Sequence, residues 1–170
     1  PTISLTAPSL KMKTGQSTTA FRATGFATGD YVTKVISGNT GIVKVSSVKN
    51  DGTFKLTATK KTGSTTVTVY LAGNKTASFK VTVQKVAVKT EKITTTTRKL
   101  TLVKGTSYKG LVASVTVTPV TSKEKVTYAS SNKKVATVSS KGVITARKKG
   151  KTTITVKSGK KAVKIQVTVK

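Results

Sequence analysis

Few side chains in this sequence could take part in catalysis. The chain of 170 residues has no His and no Cys, and its only acidic residues are Asp30, Asp51, Glu91 and Glu124. Imidazole acid–base chemistry and thiol nucleophiles are therefore excluded. A Ser–Lys dyad stays open on composition, but no strand–turn–helix context for a nucleophile supports one. We predict that the chain is not an enzyme and binds no cofactor.

The acidic residues also make poor metal ligands. Asp30 follows Gly29, and Asp51 lies in Asn50-Asp51-Gly52. Asp is a common turn former in such motifs. A calcium site needs several oxygen ligands, and Asp51 offers a single carboxylate in a positive field. Glu91 and Glu124 are flanked by Lys residues and are interpreted as solvated surface pairs. We predict turns at the two Asp residues and no metal site.

Positive charge is the strongest functional signal. The net charge is +28, from 32 basic and 4 acidic residues, and only Arg22, Arg98 and Arg147 are Arg. One interpretation of the lysine excess is that exposed Lys residues protect sheet edges from aggregation. A charge of about 2–8 suffices for solubility, however, so the excess also favours binding to polyanions. The candidate polyanion-binding residues are the densest basic clusters: Lys60, Lys61, Lys133, Lys134, Arg147, Lys148, Lys149, Lys151, Lys160 and Lys161.

The type of basic residue narrows the choice of partner. Lys is a compact point charge, whereas Arg carries the bidentate fork that reads phosphates and bases. The predominance of Lys argues against sequence-specific nucleic-acid recognition. We expect an anionic cell-wall polymer, an acidic glycan or a host surface protein as the partner. Non-specific nucleic-acid binding with a steep salt dependence is the weaker alternative.

Alternation of apolar and polar residues predicts an all-β protein. Thr65–Leu71 reads TTVTVYL and Val163–Val169 reads VKIQVTV, which is typical of half-buried strands. Turn motifs rich in Gly, Asn and Ser separate such stretches at short intervals, as in a sandwich or barrel. Core positions are predicted for Phe21, Phe54, Tyr70, Phe79 and Tyr128, whereas Phe26, Tyr31 and Tyr108 lie near turns or strand ends, where they can be exposed.

The two halves of the chain repeat each other. Ser37-x-Asn39 matches Ser130-x-Asn132, and Gly63-x-Thr-Thr-Val-Thr-Val matches Gly150-x-Thr-Thr-Ile-Thr-Val. The repeat predicts two tandem domains, residues 1–85 and 86–170. Their linker, Gln84–Thr90, lacks Gly and Pro, which predicts a limited range of angles between them.

The second half resembles the bacterial immunoglobulin-like domain of group 2. The resemblance rests on short motifs that recur in order, among them Val126-Thr-Tyr-Ala-Ser-Ser-Asn132, Gly142-Val-Ile-Thr-Ala146 and Gln166-Val-Thr-Val169. Where the family often has Trp, this sequence has Tyr128, and the first half matches more loosely. The resemblance implies two immunoglobulin-like Greek-key β-sandwich domains, found in arrays on bacterial surface proteins and in glycan-acting enzymes. The fold alone does not determine a function.

These observations lead to one preferred function and one alternative. We expect a non-catalytic extracellular module, a spacer and adhesion segment on the bacterial cell surface or in a secreted protein. The alternative is an accessory carbohydrate- or wall-binding module of an extracellular glycan-degrading enzyme. No apolar run is long enough to span a membrane, and the sequence shows no positively charged start followed by an apolar stretch, as a signal peptide would. We therefore expect a monomeric segment of a larger multidomain chain, without membrane insertion.

Overall fold

A computed structural model describes residues 3–170, which form two compact all-β units. The first unit comprises the residues up to Val88 together with Pro119–Thr121, and the second comprises Lys89–Thr118 and Ser122–Lys170. The division after Val88 falls three residues beyond the boundary expected from the repeat. Within the described residues the helical content is one turn, α1 (Leu111–Ser114). No helix among them is long and apolar enough to cross a bilayer.

Over residues 3–170, nine strands are found in each unit. Those of the first unit are β1 (Ser4–Leu5), β2 (Ser9–Lys13), β3 (Ser17–Thr18), β4 (Ala23–Thr24), β5 (Val32–Ser37), β6 (Val43–Ser46), β7 (Lys55–Ala58), β8 (Gly63–Leu71) and β9 (Thr76–Gln84). Those of the second unit are β10 (Lys92–Thr95), β11 (Lys99–Leu102), β12 (Ser107–Tyr108), β13 (Val115–Thr118), β14 (Val126–Ser130), β15 (Ala136–Val138), β16 (Ile144–Ala146), β17 (Gly150–Ser158) and β18 (Lys161–Val169).

The two units share one strand topology, which confirms the repeat. In the first, a four-stranded sheet has the order β2-β9-β8-β5 and a three-stranded sheet has the order β3-β7-β6. The second has β11-β18-β17-β14 and β12-β16-β15, and each unit adds a two-stranded pair, β1-β4 or β10-β13. The edge strands β2 and β11 pair in parallel with β9 and β18, whereas the other pairs are antiparallel. Each unit is an immunoglobulin-like β-sandwich.

Matching turns preserve the repeat in detail. Asn39 and Asn132 each accept hydrogen bonds from two later backbone N–H groups through the main-chain oxygen. Their side-chain oxygens accept a further one, from Gly41 N at 2.9 Å and from Lys134 N at 3.1 Å. This local bonding is why Asn favours such turns. The same turn therefore carries Thr40-Gly41 in the first unit and Lys133-Lys134 in the second.

Three phenylalanines form the centre of the first core. Phe21, Phe54 and Phe79 are almost fully buried, and the rings of Phe21 and Phe79 stack with centroids 4.1 Å apart. The core prediction is confirmed for these three residues and is wrong for Tyr70. Along β8 the buried residues are Thr65, Val67, Val69 and Leu71, so Tyr70 points to the opposite face. There the Lys34 ammonium lies 4.7 Å from its ring centroid, a cation–π contact.

The second core is aliphatic. Leu111, Ile144, Ile154 and Ile165 are fully buried in it, and most of its other buried residues are Val and Ala. Tyr108 and Tyr128 are only partly buried and pack against its margin. Burial raises the pKa of the Tyr128 hydroxyl. Phe26 in the first unit also packs against its core, whereas Tyr31 is 44 % exposed.

Candidate basic surface and polar groove

The two aspartates hold turns, as their motifs predict. The Asp51 carboxylate accepts hydrogen bonds from Thr53 N at 2.9 Å and from Thr53 Oγ1 at 2.6 Å. These bonds, with nearby Lys49 and Arg22, lower the pKa of Asp51 from its ordinary value of 3.8. Asp30 accepts from the backbone N–H groups of Tyr31 and Gly73, each at 3.0 Å. Among the described residues no group of three or more potential ligands could hold a metal ion.

Glu124 is not the solvated surface residue that its lysine neighbours suggest. Its carboxylate accepts a 2.7 Å hydrogen bond from the backbone N–H of Thr90, a partner that is distant in sequence. The Thr90 hydroxyl lies 2.7 Å from the hydroxyl of Ser158, which is fully buried. The carboxylate also fills the space that a side chain at Gly159 would need. Glu124 therefore has a structural role where β10 and the β17–β18 hairpin meet.

Two loops of the second unit bring five basic residues to one end of its sandwich. Backbone N–H groups of Arg147 and Lys148 donate to the carbonyl of Val135, at 2.8 and 3.1 Å. Asn132 N donates to Thr152 Oγ1 at 3.0 Å, which fixes the first loop to β17. We call the resulting cluster the basic end; its members are all exposed: Lys133, Lys134, Arg147, Lys148 and Lys149. Lys151 follows directly, at the beginning of β17.

The other predicted basic residues lie elsewhere. Lys160 lies in the hairpin turn at the far end of β17 and Lys161 begins β18, about 26 Å away by the usual rise of a strand of the length of β17. Lys60 and Lys61 lie in the corresponding loop of the first unit, where the facing turn carries no lysine. The structure therefore brings together six of the ten predicted residues and leaves four apart from them.

The acidic residues of the second unit lie away from the basic end. Glu124 contacts Thr90 near the β17–β18 turn, and Glu91 is the next residue after Thr90. Glu91 N donates to Thr118 O at 2.8 Å, which keeps it at the same end. Both carboxylates thus lie opposite the basic end. Lysines occur at both ends of the unit, but the carboxylates lie only at the far end, so no acidic side chain offsets the positive potential of the basic end.

A groove of about 530 Å³ crosses the outer face of the four-stranded sheet in the second unit. Strand register places Lys99, Gln166 and Thr153 in one row across β11, β18 and β17, and Thr101, Thr168 and Lys151 in the next. Ser131 extends the first row, because its N–H donates to Thr153 O at 2.9 Å. Lys99 and Lys151 therefore lie at diagonal corners of a surface lined mainly by hydroxyl and carboxamide groups.

The groove contains site residues that sequence reasoning missed. Of its lining residues, only Lys151 belongs to a predicted cluster. The sequence pattern that could have indicated the groove is the alternation in β17 and β18. There Thr and Gln occupy the outward positions between buried Ile and Val. The corresponding rows of the first unit carry Ser9, Lys80 and Thr66, then Lys11, Thr82 and Ser64. The four-stranded sheets of both units thus present lysines among hydroxyl groups, but at different positions in the rows.

Solved structures that match the chain include domains of an S-layer protein. A structure of domains 5–6 of the S-layer protein SbsC is 21% identical, with a TM-score of 0.48, and covers 99% of this chain and 97% of that one. Domains 4 and 5 of SbsC are 26% identical over 84% of this chain and 70% of that one, with a TM-score of 0.42.

Another similar structure is a bacterial Ig-like domain-containing GH10 xylanase from termite gut. It is 23% identical, with a TM-score of 0.36, and the match covers 42% of this chain and 18% of the xylanase. The chain thus spans less than a fifth of that protein. None of the curated proteins compared with the chain matches it.

The family comparison agrees with the strand pattern of the second unit. Residues 87–169 match the family described as "Bacterial Ig-like domain (group 2)". The matched segment includes every strand from β10 to β18, the basic end and the groove. Over residues 87–169, just under half of the chain, the sequence is thus similar to the bacterial Ig-like domains of group 2.

Proposed function

We propose that the chain is a non-catalytic extracellular module of a bacterial surface or secreted protein, and that it attaches to anionic polymers through the basic end. The observation that carries this proposal is the density of the basic end. Five exposed basic residues lie together there, whereas both carboxylates of the second unit lie at the other end. Solubility is served by charges of both signs interspersed over a surface, which the basic end lacks.

Lysine suits a partner whose charges are repeated along a flexible chain. Each ammonium group can turn toward a carboxylate, sulfate or phosphate without the fixed geometry that an Arg fork requires. Exposed ion pairs are individually weak, at about 0.2–1 kcal/mol, so several must form together. An anionic wall polymer or acidic glycan can contact all the lysines of the basic end at once.

The residues available for chemistry support a non-catalytic role. Asp30, Asp51 and Glu124 accept hydrogen bonds from backbone N–H groups and hold turns or neighbouring segments in place. Glu91, the remaining acidic residue, follows Thr90 at the end opposite the basic cluster. With the other three carboxylates held in structural hydrogen bonds, these residues offer no free pair of acids of the kind that cleaves a glycosidic bond.

The polar groove favours a second candidate, an accessory glycan-binding module of an extracellular glycan-degrading enzyme. Its lining of Thr, Ser and Gln offers donors and acceptors suited to sugar hydroxyl groups. The full-length gene separates the two candidates. A hydrolase domain in the same chain supports the accessory module, whereas a long array of such domains with a wall anchor supports the surface protein.

We expect the chain to bind isolated bacterial cell walls and to lose most of this binding when their anionic polymers are removed. Raising the salt concentration should have the same effect, because the attraction is between exposed charges and the Debye length falls from about 10 Å at 0.1 M to 3 Å at 1 M salt. Co-sedimentation of the purified chain with intact and stripped walls measures both effects. Binding that survives stripping and high salt contradicts the proposal.

The spacer role makes a separate prediction. The Gln84 side chain donates to the carbonyls of Val86 and Ala87, at 3.2 and 3.5 Å, which restrains the first residues of the linker. We expect solution scattering of the full chain to fit a narrow range of angles between the units. A scattering profile that requires freely bending units contradicts the spacer role and leaves the binding role untouched.

A further inference from the structure

We propose that the groove of the second unit binds a linear acidic polysaccharide. Its sugar hydroxyl groups would hydrogen-bond to the neutral polar lining, and its charged groups would pair with Lys99 and Lys151. The inference rests on the proposed function, in which the partner is an anionic polymer. It adds a site separate from the basic end and a chemical class for the ligand.

The lining of the groove favours sugars. Besides Thr152, which is buried, five neutral polar residues line it: Thr101, Ser131, Thr153, Gln166 and Thr168. A hydroxyl both donates and accepts, and a carboxamide offers both functions on separate atoms, so together they match the mixed donors and acceptors of a sugar. The lining contains no aromatic residue, so recognition relies on hydrogen bonds and charge instead of stacking on sugar rings.

The positions of the two lysines favour a charged, extended ligand. Lys99 and Lys151 are two strands and two residues apart, which corresponds to about 12 Å between their Cα atoms. The neutral polar residues lie between them, and no acidic residue lines the groove. A polymer that carries negative groups at intervals, with hydroxyl groups between them, can therefore satisfy both lysines and the polar lining together.

Polyphosphate fits this surface less well. It carries a charge on every unit and only acceptor oxygens along the chain, so it can accept hydrogen bonds from the lining but offers no donor to the acceptor atoms there. Any exposed lysine cluster, the basic end included, would serve it equally. An acidic polysaccharide can use both the two lysines and the neutral polar lining of the groove. Binding of the two ligand classes therefore responds differently when hydroxyl groups are removed from the lining.

The groove also leads toward the basic end. Lys151 lines the groove and comes two residues after Lys149, the last member of the basic end. A polysaccharide longer than the groove can thus continue over Lys148 and Lys149. This continuity predicts that long chains bind more tightly than short ones, because contacts made by one molecule add without a second association step.

The test uses the full chain and an oligogalacturonate of about ten sugars as the probe, with its methyl-esterified form as the neutral control. The first variant combines Lys99→Gln and Lys151→Gln. Its matched control combines Lys157→Gln and Lys164→Gln, which removes two exposed lysines from β17 and β18 on the same sheet face, outside the groove. A second variant combines Thr101→Val, Thr153→Val and Thr168→Val, which removes hydroxyl groups and retains all charges.

We expect the Lys99/Lys151 variant and the valine variant each to weaken oligogalacturonate binding about tenfold in calorimetric titrations, because two ion pairs or three hydrogen bonds are lost. The Lys157/Lys164 variant should bind as the wild type does, and the valine variant should lose less affinity for polyphosphate than for oligogalacturonate. Far-UV circular dichroism checks that each variant is folded.

Three results overturn the inference. Equal losses in the two lysine variants mean that only net charge matters, in which case the proposed function stands and the groove site does not. Unchanged oligogalacturonate binding in the valine variant contradicts the role of the hydroxyl groups in recognising sugars. So does a loss of polyphosphate binding in that variant that equals its loss of oligogalacturonate binding. Absence of binding to either polymer by the wild type overturns the groove and the proposed function together.

Discussion

Replacing Lys133, Lys134, Lys148 and Lys149 with glutamine should weaken binding of the chain to an acidic polymer by about 10-fold to 100-fold at low salt. Each exposed ion pair contributes about 0.2–1 kcal/mol, and 1.4 kcal/mol corresponds to a factor of ten. Arg147 is left in place because its Nε donates to Thr137 Oγ1 at 3.2 Å and supports β15. Titration calorimetry with an acidic polysaccharide measures the change.

The matched control removes the same number of charges from the opposite end of the same unit. Lys109, Lys141, Lys160 and Lys161 are exposed residues that lie away from the basic end. Their replacement with glutamine leaves the same net charge as the first variant but should reduce affinity less than about threefold, because these lysines are too far from the basic end to form ion pairs with a polymer bound there. Equal losses in the two variants would show that the arrangement of the charges is irrelevant.

Replacing Phe79 with alanine should destabilise the first unit by about 3–5 kcal/mol, the usual cost of truncating a buried phenylalanine. Phe79 is 2 % exposed, and its ring stacks on Phe21 with centroids 4.1 Å apart and lies 6.2 Å from Phe54. The substitution removes both contacts and leaves a cavity at the centre of the core. For a domain whose total stability is typically about 5–15 kcal/mol, this is a large fraction.

Tyr70→Ala is the appropriate control, because Tyr70 lies on the neighbouring strand but on its outer face. Its loss removes one cation–π contact with Lys34, typically about 0.5–1 kcal/mol at an exposed site. Urea unfolding followed by NMR signals of β8 and β9 reports on the first unit within the full chain. If the two substitutions cost the same free energy, the three-phenylalanine core does not have the role assigned to it.

The period-two pattern predicted the strands well because burial alternates along them. In β8 the pattern places Val67 and Val69 inward and thereby places Tyr70 outward. The wrong prediction for Tyr70 came from weighting its aromatic type above its position in the alternation. Where residue type and alternation disagree, as here, the strand pairing decides, because a residue cannot change faces without shifting the register of the whole strand.

The sites were less predictable, since they depend on pairings between distant segments. Composition identified the basic clusters, but it could not show that the loops around Lys133 and Lys148 meet at Val135 while Lys160 lies at the far end. The groove depends on the parallel pairing of β11 with β18, which aligns Lys99 with Gln166. The contact of Glu124 with Thr90 likewise joins segments that local sequence does not connect.

The salt dependence of polymer binding tests most directly whether the basic end is the binding element. The measurement compares the wild type with the two four-lysine variants, using one acidic polysaccharide across a salt series. A variant that displaces fewer counterions when it binds shows a shallower slope in a plot of the logarithm of the binding constant against the logarithm of salt concentration. The account predicts a clearly shallower slope for the basic-end variant and a slope close to the wild type for the far-end variant. Three equal slopes, or a shallower slope only in the far-end variant, would contradict it.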